Sequence, residues 1–490
     1  MKKQLKYMFS AGVGMLLFST SCKKEKEYLN PVPQTSVILE NAFETPARIA
    51  NQVNSLYGAL KSGSFYGGRA QIAGDIRGED FLNETTNGVT GYDVWLMNAT
   101  GTSQNFIKNC WSQAYYVINL CNLFIDGMAA KGSAVVGTTL SNNYLGEAKL
   151  VRALSYYWLL QFYAKPYADN NGNNPGLPLR LSGIVTFGYS DLARSKVSEV
   201  YAQILSDLNF AEQNLPLDYS GTSQASLRTT RAHRNTAIAL KTRIYLAMQQ
   251  YANVITEANK IVSTNAPFTA TTGVPHALNP NIVNVFRTPY TSVESILSVP
   301  MTSTGGDNPG TQNQLGYYWS KTTGNGEFSL NPAGIIADAG WTATDARRSF
   351  NAVVSGKSYL NTKFNAPSPY TDWAPVIRYS EVLLNLAEAL ARTNTTGVDA
   401  RALALLNAVR QRSDPATVLA PTTQAALIAA ILNERRIEFL GEGLRDFDIV
   451  RLMQTFPAKG SAPAVAAGPQ PYIWPISADE MSLNHLMTDN

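Results

Sequence analysis

The densest chemistry in the chain lies near its C-terminus, at residues 433–451, NERRIEFLGEGLRDFDIVR. Nine of these nineteen side chains carry charge, and the carboxylates of Glu434, Glu438, Glu442 and Asp446 recur every fourth residue. On an uninterrupted helix they would form one acidic stripe, and like charges at that spacing repel. Two such carboxyl groups could serve as the acid and base of a glycosidase, which needs them about 5–9.5 Å apart across an open cleft. A general acid must keep its proton, however, and the dense arginines here hold carboxylates ionised. Arg435 stands three residues before Glu438, while Arg445 and Arg451 stand three after Glu442 and Asp448, a spacing that allows pairing. Gly441 and Gly443 are expected to kink or end the helix and so break the stripe. The expectation is a packed helical corner fixed by ion pairs among Glu434, Arg435, Arg436, Glu438, Arg445 and Asp448. Arg378 and Glu388 on the preceding helices are further partners.

Other catalytic signatures are missing from the sequence. There is no G-x-S-x-G elbow and no H-E-x-x-H, and the Gly-rich FYGGRAQIAG lacks the Lys-Ser/Thr ending of a P-loop. The three histidines are scattered and no CxxC occurs, so no metal site is expected. Asp169, Asn171 and Asn173 are spaced as in a calcium loop, but Asn174 and Arg180 stand where an EF-hand needs Gly and Glu. That stretch reads as a turn. No cofactor-binding motif is present.

Binding chemistry is better represented. A saccharide site needs flat apolar faces for the C–H side of a pyranose, with amide, carboxylate or guanidinium groups for its hydroxyls. Two loop-like regions offer both. FYGGRAQIAGDIRGEDFLNETTNGVTGYDVWLMN carries Tyr66, Tyr92 and Trp95 beside Arg69, Asp75, Arg77, Asp80 and Asn98. NQLGYYWSKTTGNG carries Tyr317, Tyr318 and Trp319 beside Asn313 and Lys321. The competing reading is that Trp95 or Trp319 caps the core, that Asp75, Arg77 and Asp80 only brace a loop, or that either region faces a partner protein.

With 490 residues and 45% apolar content, the chain can build a substantial core. Its 40 basic and 36 acidic groups overstate its charge. Three of the lysines lie in the first twenty-one residues, and without them 37 basic groups face 36 acidic ones. Near-neutrality gives no reason to expect a nucleic-acid partner. Those first residues, MKKQLK followed by YMFSAGVGMLLF and STSC, read as a secretory signal over 1–21. The small residues before Cys22 resemble the lipobox of bacterial lipoproteins, with Ser19 where leucine is usual. Acylation of Cys22 would anchor the protein in a membrane without spanning it, each buried methylene adding about 0.8 kcal/mol. A charged, proline-containing tether over 22–40 follows.

Helical periodicity marks 42–61, 104–129, 142–163, 196–215, 231–262 in two helices, 375–392, 399–412 and 424–440. Cys110 and Cys121 fall on one helix about 16 Å apart, beyond disulfide reach, so both are expected reduced and buried. Trp111, Tyr156, Tyr157 and Trp158 are expected in the core. Between 265 and 374 the periodicity fades into Gly, Pro, Asn, Thr and aromatic residues. So long an irregular stretch inside a helical chain suggests an insertion with a surface role. The helices come in pairs, as in tetratricopeptide stacking, without a clean 34-residue period. The expectation is an all-α fold, one helical domain over 41–490 with the insertion about 265–374.

Several segments, in this order, resemble the SusD/RagB family of bacterial outer-membrane lipoproteins. They are CKKEKEYLNPVPQTS leading into NAFETPARIANQVNSLYGAL, then GEAKLVRALSYYWLLQFYAKPY, ATDARRSF, PVIRYSEVLLNLAEAL, NERRIEFLGEGLRDFDIVRL and YIWPISADE. The final NHLMTDN only partly echoes the family's ending. The resemblance implies tetratricopeptide-like helix pairs supporting a variable loop region. It also implies a non-catalytic lipoprotein on the cell surface, paired with a SusC-like TonB-dependent transporter. Such proteins capture oligosaccharides, or in some members peptides, on a surface formed by an early loop and the inserted region.

Overall fold

The computed structural model describes residues 41–186, 188–221 and 224–490. The signal over 1–21, Cys22 and the tether to residue 40 lie outside the described residues. Helix α1 (Pro46–Leu60) opens where Thr45 accepts a hydrogen bond from the Arg48 amide and Pro46 takes the first helical position. Its buried residues Ile49, Val53, Leu56 and Leu60 form one stripe. There follow α2 (Arg69–Ile76), β1 (Phe81–Asn83), α3 (Asn109–Gly127), α4 (Thr138–Tyr163), β2 (Pro175–Pro178) and β3 (Arg194–Lys196). Helices α5 (Val197–Asn214), α6 (Arg234–Ala247) and α7 (Tyr251–Ala258) complete the first part. The second part holds β4 (Ser295–Val299), α8 (Leu315–Trp319), β5 (Phe328–Leu330), β6 (Ala352–Val354), β7 (Lys357–Tyr359) and β8 (Ala374–Arg378). It ends in α9 (Tyr379–Thr393), α10 (Ala400–Ser413), α11 (Gln424–Glu438), α12 (Arg445–Arg451) and α13 (Ala478–Leu483).

The long helices pack in chain order. α3 lies on α4, α4 on α5, α5 on α6, α6 on α7, α7 on α9, and α9 on both α10 and α11. Such next-neighbour contact is the logic of a helical-repeat stack. Charged pairs link its members: Arg152 of α4 grips Asp207 of α5 at 2.8 and 2.7 Å, and Arg243 of α6 grips Glu381 of α9 at 2.6 Å twice. Trp111, Tyr156, Tyr157 and Trp158 are buried in the same core. Cys110 and Cys121 are free, buried thiols, and burial pushes the Cys110 thiol up to about 12. Among the described residues no helix is long and apolar enough to cross a membrane.

The insertion leaves the stack after α7 and returns at α9. Its base is the antiparallel pair β4–β8, from Ser295 opposite Arg378 to Val299 opposite Ala374. Residues 375–378, expected to begin a helix, are strand instead. The buried run SILSV offers a ladder partner to PVIR, and β-branched residues suit a pleated, buried surface. Helix α9 then starts directly from that strand.

At the C-terminal corner α11 stops at Glu438. Gly441 and Gly443 take φ of 85° and 83°, the left-handed region that glycine occupies without steric cost. The corner is pressed backbone to backbone against α2. A Cβ on Gly74 would lie 2.1 Å from the Gly443 carbonyl oxygen, and one on Gly443 would lie 2.5 Å from the Gln71 Cα. Gly443→Ala is therefore expected to cost about 3 kcal/mol or more, from left-handed strain plus overlap. The measurement is the urea midpoint. Gly58→Ala is the control: its Cβ meets nothing within 4 Å, and helix propensity favours Ala there by about 1 kcal/mol.

Candidate functional site

The acidic corner proves to be an enclosed ion-pair lattice. Glu438 lies 2.5 Å from Arg412, 2.9 Å from Arg347 and 3.0 Å from Arg378. Glu434 pairs with Arg347 and Arg410 at 2.6 Å each, and Glu442 with Arg378 and Lys363 at 2.8 Å each. Glu294 joins Arg378 and Arg412, and Asp345 joins Arg347 and Arg410. The lattice thus sets Arg347, Lys363, Arg378, Arg410 and Arg412 against Glu294, Asp345, Glu434, Glu438 and Glu442, five charges of each sign. Burial raises the Glu438 carboxyl, but Arg412, Arg378 and Arg347 outweigh it and hold it far below the usual carboxylate range. These carboxylates face arginines, not a cleft.

The pairing differs from the three-residue spacing expected along the sequence. Arg435 does not serve Glu438; it reaches Asp448 at 2.9 Å and the side-chain oxygen of Asn385 at 2.6 Å. Arg445 does not serve Glu442; it reaches Glu79 at 2.6 Å, and Arg436 reaches Asp80 and Glu79. Arg435 and Glu438 share α11 but are taken up by different neighbours, and the helix ends before Glu442 and Arg445, so these sequence neighbours meet different elements. Only Arg451 keeps its neighbour, at 2.9 Å from Asp448, while also pairing with Glu388 at 2.7 Å.

Burial raises the Asp448 carboxyl, yet Arg435 and Arg451 beside it hold it down at about 2. A carboxyl lowered on folding stabilises above its unfolded pKa and loses that contribution as pH falls through its folded one. About 2 kcal/mol should therefore be present at neutral pH and be lost between about pH 4 and about pH 2. Urea unfolding across this range checks it: Asp448→Asn should be less stable at neutral pH and show the shallower acid decline.

The expected ligand residues divide by exposure. Tyr66, Arg69, Asp75, Arg77, Trp95, Tyr318 and Trp319 are all buried, so none offers a face to a ligand. Each has an internal task. Arg69 donates to the carbonyl oxygens of Asn105 and Val89. Asp75 accepts from the Gly443 amide at 2.7 Å, and Arg77 donates to Asp446 at 2.6 Å. Trp95 donates to the Phe81 carbonyl at 2.8 Å, and Tyr318 to that of Gln312 at 3.0 Å. Trp319 stacks on Phe81 with ring centroids 4.3 Å apart. Tyr92 and Tyr317 are half-buried and Asn98 is exposed.

The two regions meet nonetheless. β1 pairs antiparallel with β5, Phe81 opposite Leu330 and Asn83 opposite Phe328, which sets the early loop beside the insertion. Buried Glu327 seals the junction, accepting from Thr90 at 2.7 Å and Asn325 at 2.6 Å. Beside it a half-buried aromatic set gathers. Tyr317 and Tyr370 meet edge to face at 5.7 Å, and Tyr290 stacks on Trp373 at 5.5 Å and 20°. Asp372 joins the two pairs: it accepts from the Tyr290 hydroxyl at 3.2 Å and from the Ala366 amide at 2.8 Å, and it lies against Gly316. Gln312, Asn313, Lys321 and Asn325 supply polar groups at the margin. A separate cleft of about 310 Å³ between Leu82, Ser329, Leu330, Ile336 and Lys357 has no aromatic wall.

Tyr290, Tyr370 and Trp373 were missed as candidates. A signal was present: Pro-Tyr-Thr occurs at both 289–291 and 369–371. Both tyrosines hold positive φ, 62° and 57°, a cost that the surrounding loops must offset.

Fold and site together define a helical-repeat scaffold carrying a loop-built aromatic face. Two family models match the chain, one described as "SusD family" over residues 312–490, the other as "Starch-binding associating with outer membrane" over 27–246. A crystal structure of a SusD superfamily protein from Bacteroides fragilis is 32% identical, with a TM-score of 0.80 over 91% of this chain and 100% of that one. SusD-like protein P2 of Formosa agariphila is 24% identical over 97% of both chains. A structure titled "Laminarin binding SusD-like protein" is 20% identical, with a TM-score of 0.69 over 91% of this chain and 99% of that one. The chain belongs to the SusD/RagB family.

Proposed function

We propose that the protein binds oligosaccharide or polysaccharide nutrients at the bacterial surface and passes them to a SusC-like TonB-dependent transporter, without cleaving them. The observation that carries the reading is the aromatic set of Tyr290, Tyr317, Tyr370 and Trp373 on the loop face. Rings at partly exposed positions, edged by amides and a lysine, match the two-sided chemistry of a pyranose. Family membership and the laminarin-binding relative support a glycan as the ligand. The family description that places such proteins at the outer membrane supports the location. Anchoring there falls to the acylated Cys22, and delivery to a transporter partner.

Affinity electrophoresis through laminarin, starch and other polysaccharides, beside calorimetry with peptides, tests this reading. At least one polysaccharide should retard the protein. Tyr317→Ala and Trp373→Ala should each weaken that binding about tenfold, the scale of one lost aromatic contact. Thermal melts should stay close to wild type. Binding of peptides alone, or undiminished retardation of both variants, would reject the loop face as a glycan site.

A further inference from the structure

A cavity of about 480 Å³ opens between α3, residues 180–184 and 188–190, and α13, sharing no residue with the aromatic loop face. Its size lies within the range of small-molecule sites, which combine apolar and aromatic walls with a few polar groups. Tyr115, Tyr189, Ile118, Ile184 and Leu483 form those walls here. Tyr115 is fixed by donating to the Pro178 carbonyl at 3.0 Å. Tyr189 is 70% exposed and owes its position to the chain's end. Its ring lies 4.6 Å from that of His485, whose amide donates to Asp191 at 2.8 Å. Asn484 exchanges two hydrogen bonds with the backbone of Leu192, at 2.9 and 2.8 Å. The rim is therefore clamped although it is exposed.

Two charged groups in the cavity stand ready for a polar ligand. Arg180 and Glu480 face each other at 3.7 Å, close enough to attract but outside hydrogen-bond distance. Glu480 is oriented by Trp111, which donates to it at 3.2 Å, and by Asn484 at 2.7 Å. The Arg180 guanidinium makes no hydrogen bond to a side chain or backbone oxygen among the described residues, while its carbonyl anchors Tyr156 and Asn122. Neighbouring hydroxyls on a sugar ring could satisfy both: one accepts from Arg180 and the other donates to Glu480.

We infer that this cavity is a second saccharide site that takes one neutral pyranose unit, its C–H faces on Tyr115 and Tyr189 and two of its hydroxyls between Arg180 and Glu480. A sugar carboxylate placed there would face Glu480 as a like charge and could donate no hydrogen bond to it, so the pair favours neutral hydroxyls. The inference rests on the reading of the protein as a glycan binder, but not on which loop residues carry that binding. Two sites on one chain would hold a polysaccharide at two points and raise its avidity without any new contact.

Saturation-transfer NMR on the mature chain tests the site. The probes are methyl β-glucoside, methyl β-galactoside and methyl α-mannoside, with methyl glucuronide as the charged comparison. Transfer to at least one neutral hexoside is expected. Read in a Trp373→Ala background that weakens the loop face, it should fall about tenfold on adding Arg180→Ala or Tyr189→Ala, the scale of a lost charged hydrogen bond or ring contact, and stay unchanged on adding Val418→Ala, an exposed position outside both sites. Tyr189 is exposed and the Arg180 side chain is only loosely paired, so both variants should fold, which a thermal melt checks. Transfer equal with and without the two cavity substitutions, transfer absent throughout, or glucuronide bound as well as the neutral sugars would each overturn the inference. Failure of the loop-face reading shows elsewhere, as undiminished polysaccharide retardation by Trp373→Ala.

Discussion

The constraint on which the structure depends is the cancellation of charge inside the C-terminal corner. Five carboxylates and five cations there come from the insertion (Glu294 just before β4 included), β8, α10 and α11 with the turn after it. Removing one member of such a set strands a buried charge, at a cost of about 3–5 kcal/mol. Arg378 alone touches Glu294, Glu438 and Glu442, so it fixes the base of the insertion and the glycine corner to each other. The lattice acts less as general glue than as registration. It sets where an irregular segment of more than a hundred residues joins a regular stack of helices.

That registration reaches the loop face through few steps. The corner glycines let α2 approach, α2 leads into β1, and β1 pairs with β5 of the insertion. Arg436 adds a direct tie from α11 to Asp80, the residue before β1. The buried aromatics Trp95, Phe81, Trp319 and Phe328 fill the space beneath that ladder. They make a rigid floor, and the half-buried tyrosines and Trp373 stand around it.

Much of the fold was legible because helices write their burial as a period. Ile49, Val53, Leu56 and Leu60 announce a buried stripe without any partner being known. The same logic misled at 375–378, where a short apolar run fits strand or helix equally and only the distant SILSV decides. Ion pairs were legible only in part: Glu434, Glu438 and Arg378 stand out in the sequence, but their partners Arg347, Arg410, Arg412 and Glu294 do not. Spacing names only neighbours along one helix; α11 stops before Glu442, and within it Arg435 and Glu438 turn to Asp448 and Arg412 on other elements. The site was the least legible part. Composition shows that a loop is aromatic, but not which rings turn inward. Trp319 turns in because Phe81 waits for it, and that contact depends on a strand pairing between residues 81–83 and 328–330.

α7 packs on α9 as though nothing lay between them, and β4 with β8 closes the intervening excursion at its root. Beyond the lattice charges Glu294, Asp345, Arg347 and Lys363, the stack therefore needs from the outer loops only that their two stems be antiparallel and adjacent. The rest of the loop cassette is exchangeable: its length and side chains can drift, and with them the surface it presents, while the helices beneath carry on unaltered. One scaffold can in this way carry many different faces.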